Sequence, residues 1–274
     1  MLCERCKKND GLLVDGLCAQ CADESGTLGA DPPAGLPVAP PVAAAQGATY
    51  DPRAAWALLR SPNGLATVAT VLLGLVVLAD VGAVAAGIAE YRMVSALMDG
   101  TAVYDADASH TEDLYILAGR AQTGALIVTA IGFIAWFLRV RDNAHVFAPQ
   151  GQSKARAWAI FGFLVPVVSL WFPRRIALDS WHASAGGLEP DRGQSTSMVV
   201  ETWWFLFLGN MLVGRLAGSM YSNAETLAEA RTATGVVMFS DVLDIVSAGA
   251  AIVFVRSLTR LQNQKVTAAH PQVA

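Results

Sequence analysis

Beyond residue 21 the chain has no cysteine, and its four cysteines are Cys3, Cys6, Cys18 and Cys21. The bulk of the protein can therefore form no internal disulfide. Charge is also sparse: 15% of residues are charged, against about a quarter in soluble domains, while 54% are hydrophobic. No run of Lys or Arg offers a nucleic-acid patch, and the net charge is only −4. His110, His145, His182 and His270 are scattered without ligand spacing, and GxSxG, HExxH and phosphate-cradling glycine loops are missing. These absences point away from an enzyme. A secretory leader is not expected either, because the sequence opens on cysteines and charged residues.

What is present is a series of apolar blocks. The first, 65–88, is long enough to cross about 30 Å of hydrocarbon, and its late position suits an uncleaved signal-anchor. A second runs over 119–138 and ends in Trp136-Phe137 followed by Arg139 and Arg141, the pattern of a membrane–water boundary. Two more, 198–217 and 233–255, are also long enough to span. The block 157–172 is short and contains Pro166, with Pro173 at its end, and reads as re-entrant or surface-lying. The following 174–184 segment is expected along the interface, with Ile176 and Trp181 embedded and Arg174, Arg175 and Asp179 in water.

The expected fold is thus an all-α polytopic membrane bundle of about four transmembrane helices, one proline-broken re-entrant or interfacial segment and a small N-terminal zinc ribbon. Its divisions are a ribbon-like module at 1–22, a Pro/Ala-rich disordered linker at 23–52, a helical membrane domain at 53–264 and a disordered tail at 265–274. Basic residues in short loops favour the cytoplasm. The 139–198 stretch and the tail are basic, whereas the connection read between Glu90 and Arg120 is acidic. With four crossings, every basic segment and both termini fall on the cytoplasmic side of the plasma membrane.

Cys3-x-x-Cys6 and Cys18-x-x-Cys21 form two knuckles whose thiolates can converge tetrahedrally on one zinc. Between them the Asp15-Gly16 turn brackets apolar residues, as in a small hairpin carrying the second knuckle. Disulfides or redox dithiols are the alternative, but disulfides need an oxidising side, whereas the distribution of basic residues keeps the N-terminus in the reducing cytoplasm. Such a zinc would be structural, and a cytosolic protein is the partner this module suggests.

Inside the spans stand Asp80, Asp241 and Asp244, with Asn210 as a neutral companion. Intramembrane carboxylates are costly and mark ion or solute sites by default. They can also serve structure alone, paired with Arg120 and Arg215 or hydrogen-bonded to Asn210.

Trp136-Phe137-Leu138-Arg139-Val140-Arg141-Asp142-Asn143-Ala144 resembles the W-x-x-R-x-R-x-N-A element of the actinobacterial membrane proteins of domain-of-unknown-function family 4328. Trp158, Phe163, Pro166, Leu170 and Pro173, then Trp181-His182-Ala183-Ser184, are similar to that family's proline–tryptophan element, and Trp203-Trp204 and 256–262 fit as well. Some members carry a similar N-terminal cysteine segment. The resemblance implies a membrane fold and supplies no activity. Two readings stay open: a non-enzymatic scaffold or sensor using the ribbon, and a small transporter or channel using the aspartates. Oligomeric state is not encoded in any of these features.

Overall fold

The computed structural model describes residues 56–186 and 192–269, with backbone only at 13–14, 17–18 and 192–196. The chain divides into two units, Met1–Tyr50 and Asp51–Ala274. In the first, β1 (Leu13–Val14) and β2 (Leu17–Cys18) pair antiparallel, Leu13 opposite Cys18 and Val14 opposite Leu17. This is the hairpin expected between the two knuckles, and Cys18 lies on it. Cys3, Cys6 and Cys21, the linker at 23–52 and residues 270–274 of the tail lie outside the described residues.

The second unit contains, among the described residues, helices α1 (Asn63–Met98), α2 (Ala106–Phe147), α3 (Trp158–Leu164), α4 (Phe172–Ala185), α5 (Arg192–Ser222) and α6 (Leu227–Ala269). Four of them, α1, α2, α5 from Ser197 and α6, are long and apolar enough to cross a membrane. The chain is a multi-pass membrane protein. The block 157–172 does not supply a fifth span: α3 has 7 residues, and the chain leaves it as extended backbone at Val165, just before Pro166. Pro166 lacks the donor a continuing helix needs, and Pro173 sits in the first turn of α4, where no donor is required.

The helices outrun the hydrophobic blocks. The connection read between Glu90 and Arg120 shrinks to 99–105, because α1 continues to Met98 and α2 begins at Ala106. Gly100 turns the chain with φ 69°, and the Asp105 carboxylate accepts from the amides of Asp107 and Ala108 to start α2. Thr226 and Glu229 start α6 reciprocally: Glu229 N–H donates to Thr226 Oγ1, and Glu229 Oε2 accepts from Thr226 N–H. At its other end α6 passes the expected boundary at 264 and reaches Ala269. Lys265 Nζ there donates to the carbonyls of Ala183 and Gly186 at 2.6 and 2.8 Å, closing the end of α4.

α1 packs between α2 and α6, α5 packs on α6, and α4 touches α2, α5 and α6. The end with the short connections 99–105 and 223–226 is here the loop end, and the end closed by α3 and α4 the base. Lipid tails are as apolar as leucine, so the helices are held by packing and buried polar bonds rather than by escape from water. Close approach is visible where α6 crosses α1: a Cβ on Gly87 would fall 2.7 Å from Met238 Cγ. Outward-facing Val71, Leu75, Leu78, Val242, Val246 and Val253 remain exposed, as a lipid-facing stripe requires.

The base holds the dense core. Trp203 stacks on Phe254 with centroids 4.4 Å apart, and Phe133 packs against Trp136, Phe163 and Trp203. Trp136 Nε1 donates to Thr259 Oγ1 at 3.0 Å. Asn143 binds both backbone groups of Arg60 and donates to Gln262 Oε1 at 3.0 Å, while Gln262 Nε2 donates to the Val140 carbonyl at 2.8 Å.

α4 differs from the surface segment expected of it. Ile176 and Trp181 are 2% and 1% exposed, buried in protein rather than in lipid. Asp179 is also buried, accepting from Ser153 N–H at 2.9 Å and pairing with Arg175 at 3.2 Å. It fastens the 148–157 connection to α4 instead of facing water. Arg174 forms two hydrogen bonds to Glu201 of α5, which hold its guanidinium pKa above the ordinary value.

Candidate intramembrane site

Halfway along the bundle, polar residues from four helices converge. Asp80 lies on the α1 face that buries Leu73, Val76, Ala83 and Gly87 at helical spacing, so its carboxyl points at α2 and α6. Gln122 of α2 meets it there. Its Nε2 donates to Asp80 Oδ1 at 2.6 Å and to Asp241 Oδ1 at 2.8 Å. Three residues beyond Asp241 on α6, Asp244 Oδ1 accepts from Asn210 Nδ2 of α5 at 2.8 Å.

Acceptors outnumber donors in this cluster. The two hydrogens of the Gln122 amide are both used, and Asp80 Oδ2, Asp241 Oδ2 and Asn210 Oδ1 are buried without a hydrogen-bond partner. Asp80 is 0% and Asp241 5% exposed. Unsatisfied buried acceptors cost on the order of 1–3 kcal/mol each, so the arrangement is poor as mere glue. It is suited to a ligand that brings donors or positive charge.

There is room for one. A cavity of about 830 Å3 lies between α2 and α5, lined by Gln122, Asn210, Asp241 and Asp244 and by Arg120 and Arg215. Fully buried Asp80 stands behind Gln122. α2 and α5 are bridged by rings at each end of this opening, Phe133 against Trp203 toward the base and Tyr115 against Tyr221 toward the loop end. Toward the base the opening continues into an apolar pocket of about 350 Å3, which shares Asn210 and Asp244 and is walled by Phe163, Phe207 and Ala248.

Asp80, Asn210, Asp241 and Asp244, singled out from sequence, are thus brought together in one layer. The expected bond between Asn210 and an aspartate is present. Pairing with the arginines is not: among the described residues neither Arg120 nor Arg215 makes an ion pair with an aspartate, although both line the cavity. Gln122 was missed, and its signal was that of a lone amide in the apolar run 119–138. Glu90 was missed too, because it fell outside the hydrophobic block. It continues the buried face of α1, with Oε2 unpartnered. Among the described residues no three His, Cys, Asp or Glu are grouped to hold a metal ion.

The W-x-x-R-x-R-x-N-A residues lie elsewhere, in the base, where Trp136, Arg141 and Asn143 bond to Thr259, the Lys154 carbonyl and Gln262. They stabilise the fold and do not touch the cavity. No curated protein and no solved structure matches the chain. A family model does match, over residues 99–260, which takes in α2 through most of α6 and more than half of the chain. The protein belongs to the family described as Domain of unknown function (DUF4328).

Proposed function

We propose that the protein binds a small cationic solute in the carboxylate cavity and carries it into or across the plasma membrane. The observation that supports this reading is the Asp241 side chain: it lines the cavity, is 5% exposed and keeps Oδ2 free, with Asp80 Oδ2 and Asn210 Oδ1 also unpartnered. Carboxylates in a site of low dielectric demand a counter-charge, and a cation supplies it. The basic residues gathered at the base, against an acidic loop end, support a cytoplasmic base with both termini inside.

Thermal unfolding of the full chain in detergent tests this at fixed pH with sodium, potassium or methylammonium chloride. A ligand at one hundred times its Kd stabilises by about 2.7 kcal/mol, or roughly 5–10 °C in Tm for a domain of this size. At least one of these cations is expected to raise Tm in the native chain and not in Asp241→Asn. Equal responses in both proteins, or none in either, would remove the basis of the reading.

A second reading concerns the N-terminal unit and rests on the β1–β2 hairpin, which puts Cys18 on a strand as a knuckle requires. The donor set fits zinc: with Cys3, Cys6 and Cys21 it provides four thiolates. When bound, zinc would supply folding energy to a module with little core of its own. A ribbon of this kind offers a cytosolic partner a rigid surface. About one zinc per chain is expected by elemental analysis, falling to near zero in Cys18→Ser. Equal metal content in both proteins would count against a ribbon.

A further inference from the structure

We propose that the cavity ligand is a zwitterion, an ammonium and a carboxylate on one small molecule with an apolar substituent, the chemistry of an aliphatic or aromatic amino acid. This rests on the reading above that the carboxylates take a positively charged group, here the ammonium of a larger ligand. The carboxylates explain only part of the lining. Arg120 on α2 and Arg215 on α5 face the same space from the two helices that flank it. Two guanidiniums that have no carboxylate partner among the described residues make a poor wall for a simple cation, which they repel.

The charges are sorted by height. Arg120 precedes Gln122 on a helix descending from the loop end, and Arg215 follows Asn210 on one ascending toward it. At 1.5 Å per residue the guanidinium-bearing positions stand about 3 and 7.5 Å nearer the loop end than the amides that hold the aspartates. Opposite charges this close share a cavity without meeting among the described residues. A ligand with its carboxylate uppermost satisfies the guanidinium forks, and its ammonium comes to the Asn210, Asp241 and Asp244 side chains that line the cavity below, where the buried Asp241 Oδ2 and Asn210 Oδ1 lack donors.

The third part of the ligand follows from the annexe. The apolar pocket shares with the cavity Asn210 and Asp244, two of the residues that would hold the ammonium. A substituent on the ammonium-bearing carbon therefore points between Phe163, Phe207 and Ala248. The volumes, about 830 and 350 Å3, lie within the range of small-molecule sites. A bare inorganic cation would leave both the guanidiniums and the annexe unused.

Calorimetric titration of the full chain in lipid nanodiscs tests each part, with leucine and phenylalanine as zwitterions, leucinol lacking the carboxylate, 4-methylvalerate lacking the ammonium, and glycine lacking the side chain. Leucine or phenylalanine is expected to bind at least roughly tenfold tighter than any of the other three. Arg120→Gln with Arg215→Gln should weaken the zwitterions by a similar factor while leucinol, relieved of the guanidiniums that repel it, binds at least as tightly as before, which also shows that the variant is folded. Ala248→Phe should erase the advantage over glycine. Leucinol binding as tightly as leucine, with methylammonium still dependent on Asp241, overturns the zwitterion and leaves a plain cation site standing. Failure of methylammonium, leucine and phenylalanine alike overturns both readings.

Discussion

Trp203→Ala will lower the unfolding free energy by about 3–5 kcal/mol, the range for emptying a large buried aromatic site. Trp203 is 2% exposed and lies at the meeting point of three spanning helices. Its ring stacks on Phe254 of α6 at 4.4 Å, touches Phe133 of α2 at 5.7 Å and contacts Trp204 and Phe207 of its own helix. Lipid chains cannot refill a void inside the base, so the lost contacts are not replaced. Phe205→Ala is the matched control: two positions along α5, Phe205 is 66% exposed and turned to lipid. Its loss should cost less than about 1 kcal/mol, because hydrocarbon takes the place of the ring. Reversible unfolding in mixed micelles with rising SDS measures both, and similar costs for the pair would mean that α5 is rotated from the orientation described.

The second large effect is expected at Gln262. It is 1% exposed and connects α6 to α2 and α4, donating to the Val140 carbonyl and to Ser184 Oγ while accepting from Asn143. Gln262→Leu keeps most of the volume and removes every one of these bonds. At about 1 kcal/mol for each of the three hydrogen bonds plus about 1–3 kcal/mol for a stranded Asn143 hydrogen, the loss is about 4–6 kcal/mol. Because Asn143 also grips the Arg60 backbone, the two amides act as a unit. Asn143→Ala combined with Gln262→Leu should therefore cost at least about 1 kcal/mol less than the separate losses added together. Strict additivity in the same micellar titration would show that the amides are independent.

The sequence announces those parts of the protein that are written in hydropathy. Four long apolar blocks became four long helices, and Pro166 and Pro173 marked the break that keeps the fifth block from spanning. Hydropathy reports contact with lipid, however, and not the extent of a hydrogen-bond ladder. It therefore stops α1 at 88, although the ladder runs to Met98, and treats the beginning of α2 as a loop. It is equally blind to what an apolar face touches, so Ile176 and Trp181 looked like membrane anchors when their neighbours are protein.

The candidate site divides along the same line. Charged residues inside apolar runs are conspicuous, and Asp80, Asp241 and Asp244 were visible for that reason. Gln122 carries no charge, yet it is the side chain that ties two of them together. The choice between arginine and amide partners was not legible either, since Arg120 stands two residues from Gln122 and Arg215 five from Asn210, and only the helix rotations decide which of them reaches the aspartates.

The ring pair at the top of the opening bears on how anything enters. Tyr115 and Tyr221 meet edge to face with centroids 5.7 Å apart, joining α2 to α5 near the loop end. Such a contact adds about 0.5–1.5 kcal/mol to what the rings gain by burial, and Tyr115 is 8% exposed. Parting it disturbs neither the aromatic base nor any backbone ladder. The two tyrosines are a snap fastener set apart from the weld: they close the loop end of the opening and share no residue with the core beneath.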